Sequence, residues 1–193
     1  MTNEHIAVCF TGKRPKNLFG YGSHTAYVPL RTRLEEAIEQ FIDTEGVDTF
    51  ISGGAQGTDQ LAFWAVENVK RRRPNIRNVV YVPFKGQERR WQTTGVFGQE
   101  EYDLMLMRAD DIRYIGELDE TSGNRYKTVR LLFARNDAML NDSLAVISVF
   151  PETASPRVSR GGTASAICAA LARDIPVYNI DPVTLNGTFP AFL

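Results

Sequence analysis

Residues 52–59 of the chain run Ser-Gly-Gly-Ala-Gln-Gly-Thr-Asp. They set three glycines, two hydroxyls and one carboxylate between an apolar run and a helical pattern. Glycine permits positive φ and close backbone approach, and amides and hydroxyls at a helix start can surround an anion. The carboxylate pulls the other way, because Asp59 repels a phosphate. The G-x-G-x-x-G spacing is absent and no Lys-Ser/Thr follows the last glycine, so this is neither the dinucleotide fingerprint nor a Walker A loop. Two chemistries stay open. Ser52, Gly53, Gly54, Ala55, Gly57 and Thr58 can hold a phosphate while Asp59 meets a sugar hydroxyl. Alternatively, the glycines serve a tight turn and Thr58 or Asp59 caps the helix.

A second corner of the same kind is Gly161-Gly162-Thr163, which opens a helix after an apolar strand, with Arg157 and Arg160 just before it. Two glycine corners on one sheet edge favour a cleft for something phosphorylated. Thr11-Gly12-Lys13-Arg14-Pro15 leaves the first strand with a hydroxyl and two cations. Arg14 can fork onto a phosphate or carboxylate and Lys13 can act as a point charge, although the same residues also suit a solvated basic turn. After the third strand, Phe84 and Trp91 can stack on a base and Arg89 can reach a phosphate, while the same aromatics can equally pack the loop onto the core.

These loops need a scaffold that brings them to one edge, and the hydrophobic pattern supplies it. Strands are predicted at 5–10, 49–52, 78–82, 112–115, 144–150 and 176–180. Helices are predicted at 27–45, 58–73, 99–108, 124–140 and 162–173, with loops at 116–123 and 151–161. Strand–helix alternation predicts an α/β fold, a Rossmann-like doubly wound and mostly parallel sheet with helices on both faces. Ligands of such sheets bind beyond the carboxyl ends of the strands, where the order reverses.

The 193 residues are 43% hydrophobic, enough for one core, and predict a single domain over 1–193. No apolar run reaches membrane-span length and the N-terminus lacks a signal-peptide pattern, so a cytoplasmic protein is expected. Cys9 and Cys168 have no metal-site spacing and are expected reduced and buried; His5 and His24 make no zinc site. The net charge of −1 argues against nucleic acid as partner.

Taken in order, TGKRP, SGGAQGTD, PFKGQERRW, Arg135-Asn136 followed by Met139, and GGTASAICAALARDIPVYNID resemble the YpsA-like (DUF1273) branch of the SLOG superfamily. Its relatives include the DprA fold and the LOG-type "lysine decarboxylase-like" nucleotide hydrolases. The resemblance implies a Rossmann-like domain that binds a nucleotide-derived ligand, often as a homo-oligomer; no metal or further cofactor is expected. Carried over by position, it puts Thr11, Gly12, Arg14, Ser52, Gly53, Gly54, Gly57, Thr58, Asp59, Gly161, Gly162 and Thr163 at the ligand. Arg135 and Asn136 match the pattern in mid-helix, where they either hold the fold or touch ligand.

LOG-type hydrolases carry P-G-G-x-G-T-x-x-E, and here Ala166 stands at the glutamate's place. That departure weighs against turnover and leaves Asp59 as the substitute acid–base group. SLOG domains also serve as sensors in anti-phage systems such as Thoeris. The resemblance therefore implies a protein that senses or sequesters an ADP-ribose or cyclic ADP-ribose-type signal, as a phage counter-defence sponge would. Two other classes remain: an N-glycosidic nucleotide hydrolase using Asp59, and a regulatory interaction protein of bacterial stress or cell division.

Overall fold

A computed structural model describes residues 5–91, 95–118 and 125–189. Six parallel strands and one short antiparallel strand form a single sheet: β1 (Ala7–Gly12), β2 (Thr49–Ser52), β3 (Arg77–Val82), β4 (Asp111–Tyr114), β5 (Ala145–Val149), β6 (Val177–Ile180) and β7 (Gly187–Thr188). The order is β4-β3-β2-β1-β5-β6-β7. The chain therefore winds outward from β1 to β4, then returns to place β5 against the other side of β1. The α/β, Rossmann-like, mostly parallel sheet expected from the sequence is the fold observed. The reversal of direction between β1 and β5 opens a crevice at their carboxyl ends.

Five helices cover the sheet: α1 (Val28–Glu45), α2 (Thr58–Lys70), α3 (Gln99–Arg108), α4 (Arg125–Asn141) and α5 (Gly162–Leu171). Leu30, Leu34, Ala37, Ile38 and Phe41 recur at helical spacing on α1 and are all buried. Gly46 ends that helix at φ 68, where its left-handed backbone lets two amides close back onto the last turn. On one face, α1 and α2 pack on Val8, Phe10, Phe50 and Ile147; on the other, α5 and the end of α4 pack on Cys9, Ile51, Val79 and Val146. Each of these fully buried side chains contributes about 1.5–3 kcal/mol by leaving water. No helix among the described residues is long and apolar enough to cross a membrane.

The structure moves several expected boundaries. β1 runs on to Gly12, because Thr11 and Gly12 pair with Ser148 and Val149 of β5, a non-local contact that hydropathy does not register. α2 and α5 end at Lys70 and Leu171, three and two residues short of the expected ends at Arg73 and Arg173; 3-10 turns form at Pro15–Asn17 and Gln87–Arg90, and a third at His24–Tyr27 takes Tyr27 from the expected start of α1. β7 is too short to leave a pattern. Of the loop expected at 116–123, residues 119–123 lie outside the described residues, as does the expected helix start Asn124. Both cysteines are free, but only Cys9 is buried; Cys168 is half-exposed on α5. Burial pushes the Cys9 thiol up to about 12.

Candidate functional site

A cavity of about 250 Å³ lies at the carboxyl ends of β1 and β5. Phe10, Thr11, Gly12 and Arg14 line it from the first strand and its loop. Ala55, Gln56 and Asp59 line it from the first glycine corner, and Gly162 and Thr163 from the second. The remaining wall is one stripe of α4: Val129, Leu132, Phe133, Arg135, Asn136 and Met139. Positions 129, 132, 133, 136 and 139 follow helical spacing, so they share one face.

The β2–α2 corner is held from inside. Arg135 reaches from α4 and its Nη1 donates both to the Gly53 carbonyl, at 2.5 Å, and to Asp59 Oδ2, at 3.1 Å. Both partners of this ion pair are about nine-tenths buried. The same Asp59 oxygen accepts the Ala55 amide at 3.2 Å, which folds the corner back onto the first turn of α2. Gly53 has no room for a side chain, since a Cβ would coincide with the Arg135 guanidinium and lie 2.7 Å from Asp59 Oδ2. Thr58 is buried, and its amide and hydroxyl both donate to the Lys13 carbonyl, at 3.3 and 3.1 Å. Neither expected cap of α2 forms in the ordinary way. Gly57 occupies the cap position at φ 94, Thr58 ties the helix to the β1 loop, and Asp59 serves Ala55 and Arg135.

The β5–α5 corner is open. Gly161 has φ 114, and a Cβ at Gly161 or Gly162 would meet nothing within 4 Å. The first intrahelical bond runs from the Ser165 amide to the Gly161 carbonyl. The amides of Gly162, Thr163 and Ala164 therefore have no acceptor among the described residues, and the positive end of the helix faces the cavity. Thr163 Oγ1 donates to the Gly12 carbonyl at 2.6 Å, fixing this corner to the end of β1. Ala166 is buried, so no carboxylate enters from α5.

Arg14 completes the polar lining. Its half-buried guanidinium has no hydrogen-bond partner among the described residues. Burial pulls its proton affinity below the ordinary arginine value, Asp59 raises it and Arg135 lowers it again. It stays a cation throughout. Lys13 turns away, its ammonium 4.2 Å from the centre of the Phe150 ring.

Of the residues expected at the ligand, Thr11, Gly12, Arg14, Ala55, Asp59, Gly162 and Thr163 line one cavity. Ser52, Gly53, Gly54, Gly57 and Thr58 lie behind it as packing: Gly54, at φ 67, would bring a Cβ to 3.1 Å from the Tyr102 ring. Gly161 sets up the second corner without lining the cavity. The loop after β3 is elsewhere. Phe84 is buried, Trp91 packs edge-on to Tyr102 at 4.9 Å, and neither they nor the exposed Arg89 line the cavity.

The apolar α4 wall and Gln56 went unassigned in the sequence. Gln56 is buried and donates to the Phe97 carbonyl at 3.0 Å. By spacing alone the apolar residues of α4 read as ordinary core. Only the fold shows Val129 and Phe133 still 40% and 46% exposed, at the mouth of a polar cavity.

In sequence the chain is similar to several bacterial proteins. The chain is 35% identical over 125 residues to the SPbeta prophage-derived protein YoqJ of Bacillus subtilis (strain 168), covering 63% of this chain and 71% of YoqJ. It is 28% identical over 131 residues to a UPF0398 protein of Shouchella clausii, covering 67% of this chain and 64% of that protein. A UPF0398 protein of Lysinibacillus sphaericus is 28% identical over 106 residues, covering 54% of this chain and 57% of that protein. The alignments thus span between about half and three quarters of these relatives. The sequence profile of the YspA SLOG family (YpsA) matches residues 8–185, from β1 to the turn before β7. The protein belongs to the YpsA family of the SLOG superfamily.

Proposed function

We propose that the chain binds a nucleotide-derived small molecule of the ADP-ribose or cyclic ADP-ribose class and holds it without turning it over. One observation carries this reading. In the cavity at the β1/β5 crevice the anion-binding donors have no acceptor among the described residues, whereas the carboxylate is engaged. Arg14 and the first amides of α5 await acceptors, and Asp59 is committed to Arg135 and the Ala55 amide. Phosphate suits the donors, and the α4 wall of Val129, Leu132 and Phe133 suits a base or sugar face.

A volume of about 250 Å³ is below that of pockets that enclose a whole drug-sized ligand, about 300–1,000 Å³. The cavity therefore suits one phosphorylated end of the ligand, the rest extending past Phe133. A general base must be within reach of a proton and free to take it. Asp59 does not meet the second condition while paired with Arg135, which favours holding over cleaving. A prophage-derived relative lends support to a signal-sequestering role in the bacterial cytoplasm.

The test is isothermal titration with AMP, ADP-ribose and cyclic ADP-ribose isomers, followed by heat release and mass spectrometry of the bound species. Binding with the ligand recovered intact is the expected result. Recovery of a free base or sugar would establish hydrolysis instead, and no binding at millimolar concentration would refute the reading.

A further inference from the structure

We infer that Arg135 is a ligand-positioning residue with two competing sets of partners, the Gly53 carbonyl and Asp59 on the protein and an anionic group of the ligand. This rests on the proposed binding function and names how the same site responds to its ligand. A guanidinium carries five N–H donors. In the structure Arg135 is only 7% exposed, yet a single nitrogen, Nη1, makes both of its hydrogen bonds, to Gly53 and Asp59. Nε is sealed from solvent with no acceptor, and Nη2 has no partner among the described residues.

A buried donor without a partner is costly, and more so when it carries charge. The side chain lines the cavity, so the space in which its missing acceptors could arrive is the ligand's space. Of the two guanidinium edges that can pair bidentately with phosphate or carboxylate, Nη1–Nη2 is already engaged through Nη1, which leaves Nε–Nη2. Nε is occluded, so pairing requires the guanidinium to rotate or slide off its parked position. Asp59 holds it there. The carboxylate and the incoming anion therefore compete for one cation.

Movement of Arg135 would also carry a signal. Its Nη1 is what binds α4 to the β2–α2 corner, through the Gly53 carbonyl and Asp59. Occupancy of the cavity is thus coupled to how firmly α4 is fastened to that corner.

Titration with AMP, inorganic phosphate and adenosine, on the wild type and on Arg135→Lys and Asp59→Asn, tests this. Lysine keeps the charge but loses the planar fork, so AMP affinity should fall at least tenfold, beyond what any drop in the ligand-free melting temperature accounts for. Asparagine keeps an acceptor for Arg135 but removes the competing charge. It should lower the melting temperature and tighten AMP and phosphate several-fold, with adenosine unaffected. A merely structural Arg135 predicts the reverse for Asp59→Asn, weaker binding in step with lower stability, and that result would overturn the inference. Unchanged AMP affinity in Arg135→Lys would overturn it equally. Both outcomes leave the proposed function standing if the wild type binds, whereas a wild type that binds none of the three removes both.

Discussion

At the β2–α2 corner, Gly53 touches the Arg135 guanidinium, Gly57 lies against the Lys13 loop, and Thr58 and Asp59 are buried with internal partners. At the β5–α5 corner, Gly161 and Gly162 face open space, and the amides that follow them have no protein acceptor among the described residues. The two share a strand, glycines, a hydroxyl and a helix in the same order. Their glycines nevertheless answer different demands. In the first corner the missing side chain makes room for protein, and in the second it leaves room for something else. A glycine-rich strand-to-helix turn is therefore not by itself a ligand loop; what fills the absent Cβ's place decides.

Substitutions in the two corners should separate accordingly. The largest effect is expected for Gly53→Ala, whose Cβ displaces Arg135 and breaks a buried ion pair; a loss of about 3–5 kcal/mol, or failure to fold, should appear in urea unfolding. A mild effect there would mean that the first corner is looser than its packing implies.

Gly57→Ala combines φ 94 with a Cβ 2.7 Å from the Lys13 carbonyl oxygen and should cost about 2–3 kcal/mol. If ligand affinity fell without loss of stability, the first corner would be the ligand loop after all.

A third, smaller effect concerns the loop that leads to the second corner. Asp181 accepts the amides of Glu152, Val183 and Thr184 at 2.7–2.8 Å. Burial alone would raise its proton affinity, but these amide bonds outweigh burial and hold it below the ordinary carboxylate value. A carboxyl lowered on folding stabilises above its unfolded value, about 3.9, and that contribution disappears as pH falls through the lower folded value. The stability gap between the wild type and Asp181→Asn should hold steady near neutrality and shrink below about pH 4. A gap independent of pH would show that the charge is not what anchors this loop.

The smallest effect on the fold is expected for Gly162→Ala, within about 0.5 kcal/mol. Its methyl projects where an anion would approach the α5 amides, so phosphate affinity should drop a few-fold. Unchanged affinity would mean that the open corner is not where the ligand sits.

The alternation of apolar runs and helical stripes was enough to fix the sheet's class and both corners, because parallel strands buried on two faces are nearly continuous in hydropathy. The division of labour between the corners was not legible, because it depends on α4. Arg135 stands 76 residues from Asp59, and nothing local marks it as that residue's partner. Val129 and Phe133 keep the spacing of a core stripe, and their place at the mouth of the cavity depends on where α4 crosses the sheet. The Phe84 and Trp91 loop presented the opposite case. Its aromatics suit a base-stacking site, yet Tyr102 of α3 provides a neighbour that packs against Trp91.

The strand order has a consequence for how the molecule behaves among copies of itself. Its outermost strands, β4 and β7, are only four and two residues long, and β4 carries Asp111 and Arg113 on its exposed surface. Short borders are poor templates for a further strand, and charges such as those on β4 make them poorer. Among the described residues the hydrogen-bonding rim of the sheet therefore offers little to edge-to-edge growth.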